Sequence, residues 1–135
     1  MTDPIVVDAS VVVTATIDAG QAGEKARGVL RGRRRYAPFL IDAEVGNVLR
    51  RMTLSGDLDK EQATRTRRLA EHLVHRRVPH GGGIAERAWA LRHNLTFYDA
   101  LYVAVAESLG YDLVTTDIRI GGALPDHTLV KTLAD

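Results

Sequence analysis

The chain has 135 residues, 45% hydrophobic and 26% charged, with no cysteine. That composition suits one globular domain with one core, spanning residues 1–135, and it excludes disulfides and thiolate metal sites. The net charge is only +1, yet 15 of the 18 basic residues are arginine, a bias that suits phosphate recognition and that genome composition also produces.

Ile5-Val6-Val7 is a short β-branched run ending at Asp8. It reads as a buried strand of a parallel sheet. Residues 22–31 read as a short helix, and Tyr36-Ala37-Pro38 as a short strand or turn. Residues 41–54 form a helix with Ile41, Val45, Val48 and Met52 inward, capped by Asp42 and ended by Ser55-Gly56. Asp59 caps the next helix, over 60–76, with Ala63, Thr66, Ala70, Leu73 and Val74 inward. Arg65, Arg68, His72 and Arg76 share another of its faces. Gly81-Gly82-Gly83 breaks the chain, and helices follow over 84–93 and 97–109. Residues 112–116 read as a second core strand, followed by a short turn or helix and a last strand over 128–132. Strands alternating with helices predict an α/β fold around a central, mostly parallel sheet.

No N-terminal stretch pairs a basic flank with an apolar core and a small-residue cleavage site, which argues against a secretory leader. No apolar run is long enough to cross a bilayer. With the absence of cysteine, the expectation is a cytoplasmic protein without membrane contact.

Four carboxylates stand out. Asp8 and Asp117 fall at the carboxyl ends of the two core strands, the edge where open α/β sheets bind ligands; each is either a loop or cap residue or part of a site. Glu44 lies in the first turn of its helix and borders the buried face, where it either favours the helix N-terminus or serves a site. Asp99 opens a helix that is apolar nearly all round, behind a Thr96 cap. A buried carboxylate needs a cation or several donors, and no basic residue occurs from Asn94 to Ile118. Carboxylates without sulfur or histidine make a hard-cation site, best matched by Mg²⁺, with Mn²⁺ also suitable. Such ions most often serve phosphodiester chemistry.

Other motifs lead nowhere. His80-Gly81-Gly82-Gly83 resembles an esterase oxyanion loop, but no G-x-S-x-G elbow accompanies it. Ser10 denies the D-x-D of a haloacid-dehalogenase-like phosphatase.

The stretches IVVDASVVV (5–13), AEVGNVLRR (43–51), LTFYDALYVAVAESLG (95–110) and LVTTD (113–117) together resemble the PIN-domain family, most closely its VapC-type toxins. The resemblance runs from residue 5 to about 131. It places Asp8, Glu44, Asp99 and Asp117 at the four acidic positions that hold the metal and carry catalysis. It makes Ser10 and Thr115 supporting hydroxyls, and Asn94 a polar neighbour of the third motif. It implies a Mg²⁺-dependent endoribonuclease, commonly a homodimer, held inactive by a cognate antitoxin. Cleavage would leave a 5′-phosphate and a 3′-hydroxyl.

An acidic site repels RNA unless basic surface compensates. Without the four site acids, 13 acidic residues face 18 basic ones, an excess of five positive charges. Arg33-Arg34-Arg35 and the Arg65, Arg68, Arg76 face are the candidates for guiding the RNA backbone. Two readings compete with a toxin: a non-catalytic PIN-like module that binds RNA or protein, and a PIN nuclease of RNA maturation with no antitoxin.

Overall fold

The protein is described by a computed structural model over residues 2–133. Among these residues there are five strands and seven helices. In chain order they are β1 (Ile5–Val7), α1 (Ala9–Ile17), α2 (Gln21–Leu30), β2 (Arg35–Pro38), α3 (Leu40–Leu54), α4 (Lys60–Leu73), β3 (Arg76–Val78), α5 (Gly83–Ala90), α6 (Phe97–Leu109), β4 (Asp112–Thr115), α7 (Ile118–Ala123) and β5 (Val130–Thr132). All strand pairs are parallel, in the order β3-β2-β1-β4-β5. The expected α/β class is therefore what is seen.

β1 is the central strand, and Ile5, Val6 and Val7 are fully buried. It pairs with β2 on one side and β4 on the other. A parallel strand covered on both faces has no polar side to alternate with, which explains the unbroken apolar run. The chain moves outward from β1 in two directions, so a crevice opens at the carboxyl end of the sheet centre.

α1 is a helix that the sequence pattern does not predict. Its residues ASVVVTATI are mostly β-branched, a composition that normally favours strands. Here Val11 and Val12 are fully buried, and Asp8 caps the start by accepting from the Val11 N–H. Tertiary burial and a cap outweigh propensity differences of at most about 0.7 kcal/mol per residue. α6 is the other buried helix, with Ala100 through Ala106 all inside, packed on β1, β2 and β4. Thr96 caps it, and Gly110 closes it in the left-handed conformation at φ 71°.

Several expectations need correction. α3 begins at Leu40 with Phe39 at the cap position, so Asp42 is not the cap. Asp42 instead forms a two-pronged ion pair with Arg77 at 2.8 Å. The earlier start also puts Glu44 beyond the first turn. Leu49, rather than Val48 or Met52, completes the buried stripe of α3. The helix expected over 60–76 stops at Leu73, and Arg76 opens strand β3. Arg76 therefore does not share a helical face with Arg65 and Arg68. The chain turns there because Arg35 and the 73–78 segment bind each other. The Arg35 guanidinium donates to the Leu73 and Leu30 carbonyls, and the His75 N–H donates to the Arg35 carbonyl.

Candidate active site

Every site element meets at the carboxyl edge of the sheet. β1, β2 and β4 each run directly into a helix, so the N-termini of α1, α3 and α7 gather there. α6 joins β4 through a tight turn and runs back across the sheet. Its 13 residues span about 20 Å, enough to return its N-terminus to the same edge. Asp8 and Asp117 are the cap residues of α1 and α7. Asp99 is the third residue of α6, and Glu44 lies on α3.

Asp8 is the most buried of the four, at 6% exposure. Its Oδ1 accepts from the Ser10 hydroxyl at 2.6 Å and from the Val11 N–H at 3.1 Å. Its Oδ2 accepts from the Thr115 hydroxyl at 2.5 Å. Each hydroxyl in turn accepts a backbone N–H, Ser10 from Thr116 at 3.1 Å and Thr115 from Asp117 at 2.9 Å. Two relays thus run from the backbone just after β4 through hydroxyls into one carboxylate. They lock Asp8 in orientation and tie β1 to the loop after β4. Oδ1 has both lone-pair directions used, whereas Oδ2 keeps one for another partner.

Burial pushes the Asp8 carboxyl above the ordinary aspartate value, against the lowering effect of its three hydrogen bonds. Burial also raises Glu44, with Asp99 and Asp8 adding repulsion. Asp99 is raised by burial, opposed by its Thr96 contact, with Asp117 adding repulsion. The four acids therefore sense one another across elements far apart in sequence. Asp117 differs. Its carboxyl is lowered, because Arg119 clasps both oxygens at 3.0 and 2.7 Å.

Two residues here escaped the sequence reading. Arg119 stands one position beyond the cation-free stretch that ends at Ile118, two residues after Asp117. Tyr102 sits one helical turn from Asp99 and is 1% exposed. Its hydroxyl is buried with no hydrogen-bond partner among the described residues. It is nevertheless near enough to Glu44 to lower that carboxyl, while burial and the surrounding acids push the phenol far up. The spacing of three from Asp99 on an otherwise apolar helix was the available signal.

None of the remaining candidates forms a hydrogen bond or ion pair with the four acids among the described residues. Asn94 is exposed in the turn before α6. Arg33, Arg34 and Arg35 lead into the amino end of β2, the opposite edge of the sheet. Arg35 is occupied by carbonyls, and Arg33 is partly buried. Arg65 and Arg68 are exposed on α4.

The residues fit a hard divalent cation in kind: an all-oxygen set, mutual repulsion that a cation would relieve, and a free lone pair on Asp8. Among the described residues, no three His, Asp or Glu side chains already stand in a geometry that could hold a metal ion. The Arg119 fork on Asp117 takes up the oxygens one such ligand would offer.

A PIN-domain family model matches residues 5–121. The chain is 45% identical over 121 residues to Ribonuclease VapC1 of Mycobacterium tuberculosis strain H37Rv, covering 90% of this chain and 91% of that one. The fold is similar to the crystal structure of PAE2754 from Pyrobaculum aerophilum, at a TM-score of 0.67 and 26% identity over 91% of this chain and 87% of that one. It also resembles VapBC2 from Rickettsia felis, a structure bound to a promoter DNA fragment, at a TM-score of 0.69 and 13% identity over 99% of this chain and 100% of that one. The chain belongs to the PIN-domain family, within its VapC group.

Proposed function

We propose that this protein is a divalent-metal-dependent endoribonuclease, the toxin of a toxin–antitoxin pair. The observation that carries the reading is the convergence of Asp8, Glu44, Asp99 and Asp117 at one sheet edge, three of them held above their ordinary pKa. Relatives named as ribonucleases support the class of reaction.

Asp8 is the central ligand. Its relays with Ser10 and Thr115 keep the carboxylate aimed and oppose the rise that burial causes, as an orienting shell does in metal sites. Glu44, Asp99 and Asp117 complete the oxygen set for Mg²⁺ or Mn²⁺. When bound, such an ion lowers the pKa of water and neutralises charge on the attacked phosphate. With the ion bound, hydrolysis would break the P–O3′ bond, water supplying the oxygen of the new 5′-phosphate and a proton to the 3′-hydroxyl. Arg119 is the one guanidinium shown among these acids, and it is available to a phosphate oxygen whenever Asp117 takes another partner. Tyr102, buried one helical turn beyond Asp99, would temper the Glu44 carboxyl.

An antitoxin would silence the enzyme by setting a cationic side chain among the acids, in the way Arg119 already engages Asp117. A homodimer and a cytoplasmic location complete the proposal. No helix among the described residues is long and apolar enough to cross a membrane.

The test is cleavage mapping on total RNA, with Mg²⁺, with Mn²⁺ and with EDTA. Discrete cuts with either ion and none in EDTA are expected. Equal cutting in EDTA would remove the metal from the mechanism.

A further inference from the structure

The chain holds only two phenylalanines, and both are exposed at the same edge as the acids. Phe39, 54% exposed, occupies the cap position of α3, five residues before Glu44. Phe97, 40% exposed, is the first residue of α6, and Tyr98, 61% exposed, is the second, immediately before Asp99. Among the described residues these rings remain among the more exposed large apolar side chains. Trp89, on α5, is also exposed, but there Arg92 lies over the ring at 4.8 Å.

We propose that Phe39, Phe97 and Tyr98 form a stacking rim that receives unpaired RNA bases beside the phosphate at the acids. The proposal rests on the nuclease reading and specifies its substrate as RNA with bases free to unstack. The need for such a rim follows from charge. Four carboxylates repel a polyanion, and Arg119, the guanidinium seen beside them, is already engaged by Asp117. Base stacking on an aromatic ring is attractive without regard to charge, at roughly 1–3 kcal/mol per base. It also discriminates: bases paired inside an A-form duplex have no free face to offer. A protein occupant fits less well. The rings sit at the starts of two different helices, at the same edge as four acids, whereas the centre of a protein interface is apolar and depleted of charge.

The test is equilibrium binding of a short single-stranded RNA, the same sequence as a duplex, and an abasic strand of equal length, with Ca²⁺ in place of Mg²⁺. The Phe97→Ala, Tyr98→Ala double variant should lose roughly 5- to 100-fold in affinity for the single strand. It should bind the abasic strand as the parent does, with the same salt slope. Tyr98→Phe should keep the affinity, and Phe39→Ala should show a smaller loss of the same kind. Thermal melting confirms that each variant folds. Unchanged single-strand affinity would overturn the rim, as would an equal loss on the abasic strand. A change in oligomeric state with RNA affinity unchanged would overturn it too and assign the rings to a second copy. Cleavage by the parent separates the two readings. A parent that cuts RNA while the double variant binds normally loses only the rim. A parent that binds through its rings but cuts with no divalent ion loses only the nuclease.

Discussion

Helix α6 carries one acid at each end, and the two have opposite fates. Asp99, in the first turn, has its pKa raised, chiefly by burial. Glu107, in the last turn, has its pKa lowered, chiefly by Arg87, which donates at 2.7 and 3.2 Å, with His127 at 2.7 Å helping. The helix dipole alone would do the reverse, favouring charge at the N-terminus and opposing it at the C-terminus by about 0.3–1 kcal/mol. Local partners and desolvation therefore dominate. One end is a finished ion cluster that pins the segment after α7 to α5 and α6. The other is a set of carboxylates with too few cations. An acid becomes available for chemistry where the fold withholds its counterion.

The largest effect that this contrast predicts is on activity. Asp8→Asn removes the charge at the centre of the acid set while preserving size. Cleavage should fall by about 10²–10⁴-fold, the equivalent of several kcal/mol of lost transition-state stabilisation. Expression of the Asp8→Ala form without an antitoxin should be tolerated where the parent arrests growth. A variant that cuts as well as the parent would move catalysis elsewhere.

The next effect is on metal linkage. The parent should melt higher in Mg²⁺ than in EDTA, since binding to the folded state alone stabilises it. The same ion should do nothing for the Glu107 end, so Glu107→Ala should keep the full Mg²⁺ gain. Melting curves of both proteins, with and without Mg²⁺, decide this.

Stability in EDTA gives smaller effects of opposite sign. Glu107→Ala should destabilise by about 1–2 kcal/mol, since it strands a partly exposed Arg87 and a mostly buried His127. Asp99→Asn should leave melting unchanged or raise it, because it removes a charge that burial and Asp117 disfavour. It should also gain less from Mg²⁺. A loss in EDTA with a full Mg²⁺ gain would return Asp99 to a simple helix-start role.

The smallest effect is in the pH profile of the metal-free protein. Asp8, Glu44 and Asp99 have raised folded values, so between their ordinary and raised pKa the folded state holds more protons than the unfolded one. Their repulsive cost is present at neutral pH and relieved as pH falls through the raised values. Asp117 and Glu107 are lowered, and their stabilisation is lost only at more acid pH, as it falls through their folded values. Stability in EDTA should thus rise modestly from neutral to mildly acid pH and then drop. Asp99→Asn should flatten the rise, and Glu107→Ala should blunt the drop. Chemical denaturation across pH reads both.

Much of this was open to inspection in the residues alone. Ile5-Val6-Val7 announced a buried strand because a strand covered on both faces has no polar alternation to hide it. Asp99 was conspicuous because a carboxylate on an apolar helix demands an explanation, and Asp59 with Gln62 is a capping box written in local spacing. What was not legible depends on contacts between distant residues. α1 is helical despite its β-branched run because its surroundings bury it. Arg76 lies in a strand because β3 pairs with β2, 40 residues away in register from Tyr36. Asp42 left the cap role for Arg77, 35 residues on. Periodicity records which face of an element is apolar. It does not record which charged partner waits across the fold. That is why the sequence by itself singled out the four acids and the sheet they border, while the tertiary structure alone decided that Arg119 clasps Asp117, that Tyr102 is buried, and that Arg35 is occupied by carbonyls.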